Sequence, residues 1–120
     1  MINLKNTTFI IPVRIDSADR EFNFNYVIQY LCTHLSTNII IKESAEHGQV
    51  PKLLENIKCN DTKITYYYEQ SNNNVFHRTR LLNEMLKTVK TPVTANYDID
   101  VLLEPESYRD AQKYILSNNN

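Results

Sequence analysis

Four short runs rich in β-branched residues alternate with segments whose apolar residues recur at helical spacing, and this alternation is what most constrains the fold. The strand-like runs cover residues 7–13, 38–43, 63–69 and 92–100. Helical spacing is seen at about residues 20–35, 50–57, 81–89 and 106–116. Strands that alternate with helices at this interval predict an α/β fold, an open and mostly parallel sheet with helices on both faces.

The length and charge of the chain narrow its class. With 120 residues it has room for one domain, residues 1–120, and a net charge of -1 argues against a nucleic-acid-binding surface. No apolar run is long enough to span a bilayer and no signal peptide is seen, so we expect a cytoplasmic protein. Cys32 and Cys59 lack zinc or redox spacing and are expected to be free thiols, with Cys32 on a buried helix face.

Glycine usage excludes the common phosphate-binding loops. The whole chain has one glycine, Gly48. A Walker A loop and a GxGxxG turn both need several glycines, so neither is present. A nucleotide bound by this chain has to be held by side chains and by ordinary backbone.

Two carboxylates separated by one residue, Asp98 and Asp100, end the last strand-like run. Open α/β sheets bind ligands beyond the carboxyl ends of their strands, and strand alternation sends both side chains to one side. Two carboxylates at that edge suit a divalent cation with a phosphate bound to it. The alternative is that both residues only end the strand and cap the next segment.

Polar residues follow the other strands at the same predicted edge. Carboxylates there suit a cation or ribose hydroxyls, and arginines suit phosphate. The alternative is that the arginines form solvated surface ion pairs. His77 is the one histidine placed near this edge, as a candidate hydrogen-bond donor to the ligand and not a metal ligand. The residues placed at this edge are Pro12, Val13, Arg14, Asp16, Glu43, Ser44, Glu46, His77, Arg78, Arg80, Asp98 and Asp100.

Four segments in this order carry a resemblance to a known family. They are the opening strand at residues 9–14, Glu43 after the second strand, the FHRTRLLN segment at residues 76–83, and Asp98-Ile99-Asp100 followed by Pro105. The chain resembles the nucleotide-binding half of family 2-type glycosyltransferases, enzymes of the GT-A fold whose DxD motif the last segment resembles.

The resemblance implies a glycosyltransferase donor domain that binds a nucleoside-diphosphate sugar, with UDP-sugars the first expectation. Asp98 and Asp100 would hold Mn²⁺ or Mg²⁺, and the cation would bridge to the donor diphosphate. No catalytic base is identified. The implied nucleotide-binding residues are Pro12, Val13, Arg14, Glu43, Arg78, Arg80, Asn83 and Asp98.

The chain departs from the family in its length. Family members continue well beyond the DxD motif into an acceptor-binding region, whereas this chain ends about twenty residues after Asp100. We therefore expect a truncated domain, either a fragment of a longer protein or a reduced protein that binds donors without transferring sugar. The alternative from another class is a non-catalytic interaction module that self-associates as a homo-oligomer. A metal-dependent nucleotidyltransferase or phosphatase is the third interpretation.

Overall fold

The computed structural model of the chain describes residues 1–118, in which four strands alternate with four helices. In chain order the elements are β1 (Ile2–Val13), α1 (Ala18–His34), β2 (Leu35–Ala45), α2 (Val50–Leu54), β3 (Lys63–Gln70), α3 (Arg78–Leu86), β4 (Val93–Asn96) and α4 (Pro105–Asn118).

The four strands form one open sheet in the order β3-β2-β1-β4, and every neighbouring pair is parallel. β1 pairs with β2 from Thr8 to Val13, and an irregularity separates this stretch from a short pairing near the N-terminus. The predicted α/β class with a parallel sheet is confirmed. The bounds of the elements differ: β1 and β2 begin earlier than their apolar runs suggested, and α2 and α3 end earlier than their helical spacing suggested.

Both faces of the sheet are covered by helices, as the apolar character of β1 predicted. Phe9 and Ile11 pack on one face in a cluster with α1, the start of α2 and Tyr108 of α4. Ile10 points to the opposite face and packs with Leu81 and Met85 of α3. Residues of the two faces alternate along β1 because successive side chains of a strand point in opposite directions.

Local signals set the helix starts. The Ser17 side chain accepts a hydrogen bond from the Arg20 amide and caps α1, and Pro105 is the first residue of α4. Both starts agree with the sequence pattern to within two residues. None of the helices in residues 1–118 is long and apolar enough to cross a membrane.

β4 is shorter than predicted. The strand ends at Asn96, and the Tyr97 amide makes one further backbone hydrogen bond to the Ile10 carbonyl at 3.1 Å. The Tyr97 ring then turns into the core against Phe9. The prediction that strand alternation orients Asp98 and Asp100 is therefore wrong, because both residues lie in the loop after the strand.

The two cysteines form a disulfide, so the prediction of free thiols is wrong. Cys32 is buried on α1 as expected, and its Cα atom lies 5.1 Å from that of Cys59 in the loop before β3. Gln29 holds this loop against α1 through two hydrogen bonds to the Lys58 backbone, of 3.0 and 3.1 Å. Disulfides persist mainly in oxidising compartments, so this bond lends no support to a cytoplasmic location, which stays a prediction.

Candidate functional site

One cavity lies where the strand order reverses. β1 is followed in the sheet by β2 on one side and by β4 on the other, and open parallel sheets bind ligands at such a switch point, beyond the strand ends. A cavity of about 400 Å³ occupies this position. We name it the Asp98 cavity, and its lining residues are Pro12, Val13, Arg20, Asn23, Phe76, Arg78, Asp98, Ile99 and Asp100.

Asp98 forms an ion pair with Arg78 across this cavity. The Nη2 and Nε atoms of Arg78 lie 2.8 and 2.9 Å from the same carboxylate oxygen, Oδ1. Arg78 is the first residue of α3, and Asp98 follows β4. The two side chains remain 42% and 47% exposed, so the ion pair is in contact with solvent.

Asp100 lies on the same cavity and is exposed. The turn after β4 thus brings both carboxylates of the Asp-x-Asp run to one cavity, although the strand itself does not. Two further polar side chains come from α1, Arg20 and Asn23, which lie three residues apart on one helix face. Asp16 holds the Arg20 guanidinium at 3.1 Å.

Arg20 and Asn23 were missed by the sequence analysis. At this edge of the sheet it placed the strand ends, the loops after them and the start of α3, but not the start of α1. A helix that follows a parallel strand starts at that same edge, so the first turns of α1 also face it. That rule was a signal available in the sequence.

Arg14 lines a second cavity and contacts Phe76, which lines the Asp98 cavity. Its Nε and Nη1 atoms each donate a 2.7 Å hydrogen bond, to the carbonyl oxygens of Ser44 and Asn73. Its guanidinium lies 5.5 Å from the centre of the Phe76 ring, a cation–π contact. Its remaining nitrogen, Nη2, is buried and has no hydrogen-bond partner among residues 1–118. A ligand acceptor at this position would satisfy it.

The second cavity has a volume of about 420 Å³ and a polar lining. Amide side chains dominate one wall, and amides both donate and accept hydrogen bonds. We name it the amide cavity, and its lining residues are Arg14, Ile15, Asp16, Ala45, Glu46, His47, Gln49, Ser71, Asn72, Asn73 and Asn74.

Glu43 lies beneath this edge of the sheet and is fully buried. Its carboxyl oxygens accept hydrogen bonds from the amides of Gln49 and Val50, at 2.9 and 3.2 Å, and from the Tyr66 hydroxyl, at 2.7 Å. Burial and the Glu43 hydrogen bond raise the pKa of Tyr66. Because Glu43 is fully buried, a nucleoside could contact it only if the residues that cover it moved.

Two further predicted residues lie apart from both cavities. Arg80 makes a bidentate ion pair with Glu69, at 2.7 and 2.8 Å. It also makes a single contact of 2.9 Å with the Glu84 carboxylate. Asn83 is exposed on α3. Among the residues that the structure describes, neither lines the Asp98 cavity or the amide cavity. His77 precedes α3, and its Nε2 atom lies 3.3 Å from the side-chain Nδ2 atom of Asn73.

Fold and site together define an α/β domain with a mixed-charge cavity at the switch point of a parallel sheet. Neither models of known protein families nor curated proteins give a match to this chain. Within residues 1–118 no group of three or more His, Cys, Asp or Glu residues is arranged to hold a metal ion. Function is therefore inferred from the geometry of the two cavities.

Proposed function

We propose that this chain is a glycosyltransferase donor domain that binds a nucleoside-diphosphate sugar together with Mn²⁺ or Mg²⁺. The observation that carries the proposal is the Asp98 cavity, where two carboxylates and two arginines meet at the strand-order switch. Carboxylates suit the cation, and arginines suit the diphosphate. The resemblance of the segments around residues 9–14, 76–83 and 98–105 to family 2-type glycosyltransferases supports the same assignment.

Two carboxylate ligands are enough for a cation that is bound together with a nucleotide. Mg²⁺ in nucleotide sites is held by one or two carboxylates and completes its shell with phosphate oxygens and water, so a closed protein cage is not needed. Asp98 and Asp100 supply two carboxylates on one cavity. When bound, the cation would act as a Lewis acid towards the departing nucleoside diphosphate.

The positive groups are placed to attract the diphosphate. Arg78 starts α3, and the first turn of this helix has no acidic residue to offset its positive end. Arg20 lines the same cavity from α1. The amide cavity, which Arg14 lines, has the hydrogen-bond donors and acceptors that suit a nucleoside. In this assignment Glu43 supports the cavity wall from beneath.

The test is metal-dependent binding of UDP by the Asp100→Ala variant. Loss of one carboxylate ligand is expected to weaken UDP binding in the presence of Mn²⁺ by about tenfold or more, measured by calorimetry. Asp110→Ala is the matched control, since Asp110 is exposed on α4 and lies apart from the cavity. An Asp100→Ala variant that binds UDP and Mn²⁺ as tightly as the unmodified chain would contradict the metal assignment.

A second candidate, a self-associating interaction module, is favoured by the exposed apolar surface. β3 is an edge strand on which Tyr67 and Tyr68 are partly exposed, and α4 exposes Tyr114 and Ile115. Unpaired strand edges and apolar patches are common sites of association. Light scattering at increasing concentration tests this function. A dimer would support it, and a monomer throughout the range would contradict it.

A further inference from the structure

The Arg78–Asp98 ion pair places a positive charge where the proposed cation would bind. Both contacts, at 2.8 and 2.9 Å, involve Asp98 Oδ1. A divalent cation bound to this carboxylate would therefore lie next to a guanidinium of the same sign. At such separations like charges repel strongly, even near the protein surface.

The same arginine attracts the other half of the ligand. A guanidinium pairs well with phosphate oxygens, which carry the opposite charge. Arg78 and Arg20 both line the cavity, so a diphosphate bound there would offer Arg78 a new partner. Arg78 thus opposes the cation alone and favours the diphosphate.

We propose that Arg78 and Asp98 exchange partners when the ligand binds, so that cation and diphosphate bind together and each binds weakly alone. Asp98 turns from Arg78 to the cation, and Arg78 turns from Asp98 to the diphosphate. This inference rests on the proposed function. It adds a positive coupling between two ligands of one site.

The ion pair is weak enough to open. Arg78 and Asp98 are each more than two-fifths exposed, and exposed ion pairs change an equilibrium by at most about fivefold. The other charged groups on the cavity are Arg20, itself paired with Asp16, and Asp100. Since Asp100 also lies on the cavity, it offers the cation a first point of contact.

The experiment measures Mn²⁺ alone by paramagnetic resonance and UDP with saturating Mn²⁺ by calorimetry. We expect Arg78→Gln to bind Mn²⁺ alone about two to five times more tightly, because the cation no longer has to displace an ion-pair partner of Asp98. The same variant is expected to bind UDP with Mn²⁺ about tenfold more weakly, because the phosphate partner is lost. Arg109→Gln, which removes the same charge on α4, should change neither affinity.

The same substitution in an Asp98→Asn variant separates the effect of the ion pair from the effect of removing one positive charge. In Asp98→Asn, where the partner carboxylate is gone, Arg78→Gln should change Mn²⁺ affinity by less than about twofold. All these side chains are partly exposed, and circular dichroism verifies that the variants fold.

The outcomes separate the exchange from the proposed function. If the unmodified chain binds UDP with Mn²⁺ but Arg78→Gln leaves the affinity for Mn²⁺ alone unchanged or lower, the exchange is wrong and the donor site stands. If the unmodified chain binds no nucleoside diphosphate with Mn²⁺, the proposed function fails and the exchange fails with it.

Discussion

Glu43 is the residue whose structural role differs most from its predicted one. Its position at the end of the second strand-like run suggested a nucleoside contact, whereas the structure buries it under three hydrogen-bond donors. Two of those donors are amides at the start of α2, a helix of five residues with no other side-chain cap. The Glu43 carboxyl therefore holds this short helix against the end of β2.

Replacing Glu43 by Gln tests this structural role. The amide offers one acceptor oxygen instead of two, so a buried donor loses its partner, and the free energy of unfolding should fall by about 2 kcal/mol. Urea unfolding measures the change. Glu46→Gln is the matched control, because Glu46 is exposed, and it should stay within about 0.5 kcal/mol of the unmodified chain. Equal stabilities for the two variants would contradict the role assigned to Glu43.

The ionisation of Glu69 makes the stability of the fold depend on pH in the acidic range. Hydrogen bonds from Arg80, and less strongly from Ser44, lower the pKa of Glu69 from 4.5 to about 2. The folded-state pKa is below the unfolded one, so this stabilisation is present above pH 4.5 and is lost as the pH falls towards 2.

Glu69→Gln should remove that acid dependence. Because Arg80 is well exposed to solvent, we expect a loss at pH 7 of no more than about 1 kcal/mol, and a smaller loss at pH 2. Urea unfolding at the two pH values makes the measurement. A variant whose stability differs from that of the unmodified chain by the same amount at both pH values would contradict this account of Glu69.

At the level of elements, the loop after β4 decides where the two carboxylates lie. The Tyr97 hydroxyl bonds to the Val101 carbonyl at 2.5 Å and also contacts the Tyr108 hydroxyl. The Tyr108 hydroxyl accepts a 2.9 Å hydrogen bond from the Leu103 amide. These bonds tie the loop to α4, and burial raises the pKa of Tyr97.

Tyr108→Phe is expected to loosen this loop. The Leu103 amide and the Tyr97 hydroxyl each lose a partner, so the free energy of unfolding should fall by about 1 to 2 kcal/mol in urea titrations. Metal-dependent UDP binding should weaken in the same variant, since the loop carries both carboxylates. Tyr114→Phe is the control, as Tyr114 is largely exposed on the same helix. Unchanged stability in Tyr108→Phe would show that these bonds do not hold the loop.

The disulfide joins α1 to the loop before β3 and closes a segment of 27 residues. A crosslink of this length stabilises a fold by about 2 to 4 kcal/mol, mainly by restricting the unfolded chain. Urea unfolding with and without a thiol reductant should show a loss of that size. Thiol titration of the native protein should find no free thiol, and two reactive thiols per chain would contradict the bond.

For the whole molecule, the sequence pattern was sufficient for the fold class but not for the sheet order. Apolar runs such as residues 38–43 mark strands because their side chains are buried on both faces. The position of β4 beside β1 depends on pairing between residues more than eighty positions apart, such as Thr8 and Thr94, which no local pattern reports. Bounds were least predictable at polar ends such as the start of β1.

The candidate site was predictable where residues follow strands directly. Pro12, Val13 and Asp98 meet at one cavity because parallel strands end at a common edge. Residues on helices were harder to place. Arg80 pairs with Glu69 because α3 lies beside the sheet edge formed by β3. The bond between Cys32 and Cys59 depends on the path of the loop before β3, which no local pattern reports.

The measurement that tests the central claim most directly is a calorimetric titration of the chain with UDP, GDP and CDP, each with and without Mn²⁺. The account predicts that one nucleotide binds, that binding needs the cation, and that the other two bind more weakly. The nucleotide that binds would identify the base that the site accepts. The absence of binding by all three in the presence of Mn²⁺ would contradict the donor site and leave the self-associating module as the better description.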